Sequence, residues 1–252
     1  MHLRSCICAT ALGAVALAST TPAAHAQAAP AKWADTIAAE IDAATLAGDT
    51  ARLHAAESMA ERVATAFPND GLILHYQAYA LYREQEAAQG GTIDAARLER
   101  ANRLLERSLA THPLPETHML ISFLDGMLIG ADPSRAMELG AASSQSQAKA
   151  MALGPQNPRV WLLAGISAMF TPPEYGGGLD RAADDLKRSI AFFDKDAPKP
   201  GEPSWGRAEA HVWLGQVLAK QGDKPAAGAE YQKALDIAPS YAFAKRLAAS
   251  VK

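Results

Sequence analysis

Residues 208–247 read AEAHVWLGQVLAKQGDKPAAGAEYQKALDIAPSYAFAKRL, and the spacing inside that stretch decides the fold. Leu214, Gly215 and Leu218 fall on one helical stripe, and Ala227, Tyr231 and Ala234-Leu235 on another. Gly222-Asp223 separates the two, so the stretch reads as a pair of antiparallel helices joined by a short turn. Gly215 and Ala227 are small where two helices must approach closely, with Tyr231 and Leu218 filling the space beside them. Asp223 is the expected N-cap of the second helix. Pro225 is tolerated in its first turn and Pro239 stops it.

The second-helix pattern recurs upstream. Ala182, Leu186 and Ser189-Ile190 stand 45 residues before Ala227, Tyr231 and Ala234-Leu235, and Ala101, Leu105 and Ser108-Leu109 stand 81 residues before that set. Trp161 and Gly165 stand 50, not 45, residues before His211 and Gly215. The hairpin there carries five extra residues between its helices, about TPPEY (171–175). The GlyGlyGly run that follows, 176–178, reads as an enlarged inter-helix turn. A phosphate loop would follow a strand and carry GxGxxG or Gly-Lys-Ser/Thr spacing; here a helix precedes the loop and no lysine follows before Lys187. Gly90-Gly91 reads as the matching turn of an earlier hairpin.

These positions resemble the tetratricopeptide repeat (TPR): Leu214-Gly215, Leu218, Gly222-Asp223, Ala227, Tyr231, Ala234-Leu235 and Pro239. The departure is His211, where the repeat usually has a large apolar residue; it is read as a half-buried packing residue rather than a ligand. The resemblance implies an all-α fold, a right-handed α-solenoid of about five hairpins. They are placed at 33–67, 71–112, 116–154, 157–195 and 204–238, with a capping helix at 240–251. Asn157-Pro158, Asp132-Pro133 and Ser204 are the expected starts. The Pro-rich stretch KDAPKPGEPSWG (195–206) is expected to be a long connection. The third hairpin has the weakest apolar face.

Residues 1–26 read as a cleaved signal peptide. Arg4 supplies a short positive region, CICATALGAVALA (6–18) is too short to span a bilayer, and Ala24-His25-Ala26 is an A-x-A cleavage site. Residues 27–252 are then the mature domain, expected in the periplasm. Both cysteines, Cys6 and Cys8, lie in the signal, so the mature chain holds no disulfide, thiol nucleophile or cysteine metal site. It carries a net charge of about −4 by formal count of Asp, Glu, Lys and Arg. No basic stripe marks a nucleic-acid partner, and no apolar run is long enough for a transmembrane segment. LGPQNPRVWLLAG (153–165), PEYGGG (173–178) and PSWGRAEAHVWLGQ (203–216) together resemble exported TPR proteins of Gram-negative bacteria.

Motifs for catalysis are missing: no GxSxG and no HExxH. His112 and His118 bracket Glu116, but the spacing fits neither a helical pair nor a zinc finger. No catalytic residue, metal site or cofactor is therefore assigned. In TPR arrays the first helices of the hairpins line the concave face, and the register then places His75, Tyr79, Tyr82, Arg159, Glu209 and Gln216 there, facing outward; for Tyr79 and Tyr82, packing between hairpins is an equal alternative. With Tyr175 of the insertion these are the candidate partner-binding residues, since aromatics and arginine favour interfaces. The basic-plus-Asn peptide clamp of some family members is not matched, because Glu209 and Val212 stand at its positions. The expected function is a periplasmic scaffold binding a protein or peptide of the cell envelope through that face. The alternative is a small-molecule-binding accessory of an envelope uptake system, with the insertion closing over a pocket.

Overall fold

The computed structural model describes residues 22–88 and 92–251, with side chains from Pro30 onward. The expected signal segment and the Gly90-Gly91 turn therefore lie almost wholly outside the described residues.

Each helix begins and ends where local chemistry tells it to. Asp49, Asp70, Asp94 and Asp223 each accept from a backbone N–H of the first turn, and Asn157 from two. Pro115, Pro158 and Pro225 sit in first turns, where no backbone donor is lost. The resulting helices are α1 (Pro22–Ala47), α2 (Thr50–Ala66), α3 (Gly71–Ala87), α4 (Ala95–Leu109), α5 (Pro115–Ala131), α6 (Ala136–Leu153), α7 (Pro158–Phe170), α8 (Leu179–Phe193), α9 (Arg207–Lys220), α10 (Lys224–Ile237) and α11 (Ala242–Ser250). No strand occurs among the described residues. Nor is any helix among them long and apolar enough to cross a membrane.

Consecutive helices pair as hairpins, and the odd-numbered helices α1, α3, α5, α7 and α9 lie side by side as an inner layer. Each even-numbered helix packs on its own partner and on the next inner helix, while α11 closes against α10 and touches α1. The small residues act as the spacing requires. A Cβ on Gly215 would collide with the Tyr231 ring, 2.7 Å from its Cδ1, and one on Gly165 would meet the Leu186 backbone N at 3.1 Å.

The enlarged turn at 171–178 is a surface loop between α7 and α8. Pro173–Tyr175 forms one 3-10 turn, and Gly176 and Gly178 take φ of 82° and 104°, which favour glycine. Gly178 donates to the Ala168 carbonyl at 2.8 Å and so caps α7. The glycines serve chain geometry.

Two local expectations need correction. Ser204 caps nothing: α9 starts after Gly206, in left-handed conformation at φ 103°, because Trp205 is buried and the chain must turn behind it. The 195–206 stretch is more than a connection. It crosses the N-terminal ends of the inner helices, with Gly201 N–H donating to Asp35 of α1 at 2.7 Å and Trp205 stacked on Tyr79 at 4.7 Å. Asp185, in the second turn of α8, is a buried acceptor for Arg181 at 2.6 Å.

The core sits around α3, which is buried on every face from Gly71 to Arg83. By contrast α6 buries only Ala150, in line with its weak apolar pattern.

Candidate functional site

Six of the seven expected candidates lie on the inner helices, and five of those six are buried. His75, Tyr79, Tyr82, Arg159 and Glu209 are buried, Gln216 is half-buried, and only Tyr175 is open, at 79% exposure. The outward placement is thus corrected. The array curls far enough for its second and fifth hairpins to meet, and side chains aimed at the concave face are walled in. Arg83 of α3 donates to Glu209 of α9 at 2.6 Å across that face and also pairs with Glu86 at 3.0 Å.

Around this pair the filled axis is aromatic. The Arg83 guanidinium lies 5.7 Å from the Tyr79 ring centroid and 5.6 Å from that of Tyr82, and Tyr82 meets Phe123 edge-on at 5.5 Å. His75 bonds Thr117 Oγ1 through Nδ1 at 2.9 Å. Burial, helped by the Arg159 charge, pushes its pKa down to about 3, so the ring is neutral. At the capped end Arg159 grips both carboxylate oxygens of Asp196, at 3.1 and 2.5 Å. Asp42 faces the same interior; burial, reinforced by the Glu209 charge, pushes it up to about 7. These groups form a buried polar axis that is only partly paired, with His75 Nε2 and Arg159 Nε left without a hydrogen-bond partner among the described residues. His211 is half-buried, as its place in the repeat suggests, and sits 2.7 Å from Glu230. Burial opposes ionisation of Glu230, but hydrogen bonds from His211 and Lys233 hold its pKa below the usual value.

The 195–206 stretch covers one end of the axis. The other end, toward the C-termini of α3, α5 and α7, holds a cleft of about 350 Å³. Phe123 and Met127 of α5, Ile166 and Phe170 of α7, Tyr82 of α3 and Trp213 of α9 form its walls. Phe170 is 67% exposed and meets Trp213 edge-on at 6.3 Å. Gly126 and Gly130, one turn apart on α5, also line it, and they admit no neighbour: a Cβ on Gly130 meets nothing within 4 Å and one on Gly126 only Ser167 Oγ, at 3.8 Å. A helical glycine with open space above it lowers helix stability and relieves no close contact; its effect here is to keep the cleft open. Glu86 and Trp213 separate this cleft from a second cavity of about 210 Å³, which reaches Phe243 and the exposed Arg246. Burial raises the Glu86 pKa, against the pull of Arg83.

Sequence reasoning missed this cleft. Phe170 and Trp213 lie 43 residues apart, and only the curvature of the array brings them together. The available signal was the pair of glycines inside the otherwise apolar helix at 126 and 130.

Neither a protein-family model nor a curated protein matches the chain. Among solved structures it is similar to the HusA haemophore from Porphyromonas gingivalis, at 25% identity and a TM-score of 0.60, covering 75% of this chain and 94% of that one. It is also similar to TTC0263, a thermophilic TPR protein of Thermus thermophilus, at 19% identity and a TM-score of 0.62, covering 89% and 98%. The chain is a TPR-like all-helical protein with the build of a helical binding scaffold.

Proposed function

We propose that this chain is an exported binding protein that holds a flat, largely apolar small molecule of the porphyrin class in the cleft between Phe170 and Trp213. The observation that carries the reading is the cleft itself: aromatic and aliphatic walls, an exposed aromatic rim, and two glycines whose missing side chains leave it open. Ligand sites are usually mostly apolar concavities with a few polar groups to orient the guest. Arg246 at the adjoining cavity supplies such a group for a carboxylate-bearing edge. The likeness to a haemophore supports the ligand class, and the Arg4, 6–18 and Ala24-His25-Ala26 features support export to the periplasm.

The test is a titration of the folded protein with haemin, followed by quenching of tryptophan fluorescence and by the haem absorbance band. Wild type should saturate at one haemin per chain. A Cβ at Gly126 meets only Ser167 Oγ, at ordinary contact distance, and a leucine there projects into the cleft, so Gly126→Leu should stay folded while binding falls more than tenfold. If wild type does not bind, or Gly126→Leu binds equally well, the cleft is not the site.

A second reading, a protein or peptide partner of the cell envelope, rests on a different observation. Tyr175 and Phe170 are both strongly exposed on adjoining parts of the 170–178 segment, and exposed aromatics are typical interface anchors. Capture of one envelope protein that is lost on Tyr175→Ala, with haemin binding unaffected, would establish it.

A further inference from the structure

On α3, two residues from Glu86 and so on the opposite helix face, Glu84 points toward α2 rather than toward the cleft. There it meets His54, with Nδ1 3.0 Å from Glu84 Oε1. His54 and Glu57 stand three apart on α2, so both side chains share one face of that helix. A ligand atom from each of His54, Glu57 and Glu84 lies within 4.8 Å of the others.

We propose that His54, Glu57 and Glu84 form a binding site for a divalent transition cation of the zinc type, joining the first hairpin to the second. The composition selects the metal. One imidazole nitrogen and two carboxylate oxygens suit zinc, whereas calcium and magnesium take oxygen-only sets. Three protein ligands on two helices leave a fourth position, and exposed His54 leaves it open to water.

An independent observation points the same way. Glu57 is only 5% exposed, and its Oε1 has no hydrogen-bond partner among the described residues. A buried carboxylate oxygen without a donor is costly, and a bound cation would satisfy it. The neighbouring arginines do not. Arg100 stands 3.5 Å from Glu57 and donates instead to Glu61 at 2.6 Å, while Arg97 stays 3.8 Å from Glu84. Arg97 can remain beside Glu84 Oε2, while Arg100, which faces Glu57 Oε1, would yield that oxygen to the metal and keep its bond to Glu61.

Isothermal titration of the metal-free full-length mature protein with zinc chloride tests the site. Wild type should take up one zinc per chain, with a rise in melting temperature. His54 is exposed, so His54→Ala should fold normally, and Glu57→Gln keeps the buried volume. Losing even a group that only hydrogen-bonds to a metal's ligand commonly costs about 10–100-fold in affinity, so losing a ligand should weaken binding by at least about tenfold. His118→Ala, a histidine outside the cluster, should bind as wild type. Absence of zinc uptake, or equal uptake by wild type and His54→Ala, overturns the proposal. So does loss of uptake in His118→Ala with retention in Glu57→Gln, which would place the metal elsewhere.

Discussion

Arg83 and Glu209 stand 126 positions apart in the chain and share a 2.6 Å hydrogen bond inside the molecule, with 5% and 9% of their side chains exposed. This contact, together with the stack of Trp205 on Tyr79, joins the second hairpin to the fifth. Arg83→Met would leave Glu209 buried without its partner, and removing one member of a buried pair typically costs about 3–5 kcal/mol. The double variant Arg83→Met with Glu209→Leu should recover part of that loss. Denaturant melts of the three proteins check it; a double variant no better than Arg83→Met would show that Glu86, not Glu209, is the partner that matters.

Asp42 sets a pH dependence. Its carboxyl is pushed up to about 7 by burial first and by Glu209 second. The unfolded chain gives up this proton near the ordinary value of 3.8. Between those values the folded state binds more protons than the unfolded one, so this group lowers stability as pH rises, by up to about 1.4 kcal/mol per pH unit. Above about 7 the effect levels off. Asp42→Asn should therefore gain on wild type steadily from pH 4 to 7 and hold a constant lead beyond. A difference in melting temperature that stays flat across that range would refute the assignment.

Gly215→Leu should be strongly destabilising. The added side chain would enter the Tyr231 ring and approach the Ala227 carbonyl at 3.1 Å, and overpacking of this kind costs about 1–3 kcal/mol. Thermal melting within a degree of wild type would contradict the close approach of α9 and α10.

Deleting Pro172 to Tyr175 should leave a folded protein. All four residues are exposed, and the backbone bonds from Tyr175, Gly176 and Gly177 close within the loop itself. The bond from Gly178 to Ala168 that caps α7 does not involve them. Loop shortening changes closure entropy by only about 0.6 kcal/mol per halving. A melting curve beside a haemin titration separates the roles: the melt should hold, while affinity falls to the extent that the loop shields the cleft mouth. Collapse of the fold would mean the loop is structural.

The signals legible in the sequence are those that act over a few residues. Asp223, Pro225, Gly215 and Tyr231 each do what their spacing implies, because a cap or a close helix contact is decided within one hairpin. Whether His75, Tyr79 or Glu209 faces solvent is decided by curvature summed over four hairpins, and no local pattern carries that sum. The 195–206 stretch misled for a related reason. Its prolines mark an irregular segment, while the residue that turns it into a cover is Trp205, whose partner Tyr79 lies in a distant hairpin. His54, Glu57 and Glu84 escaped notice likewise, since the third ligand comes from the next helix.

In an open repeat array each unit touches only its neighbours, so units can be added or lost at little cost and the ends fray first. A ring closed by Arg83 and Glu209 obeys a different rule. An extra hairpin spliced between them would carry the two side chains apart, so the number of repeats in this segment is fixed by geometry. The same closure makes the search for the native state wait on a long loop, so refolding should be slow for an all-helical chain of this size.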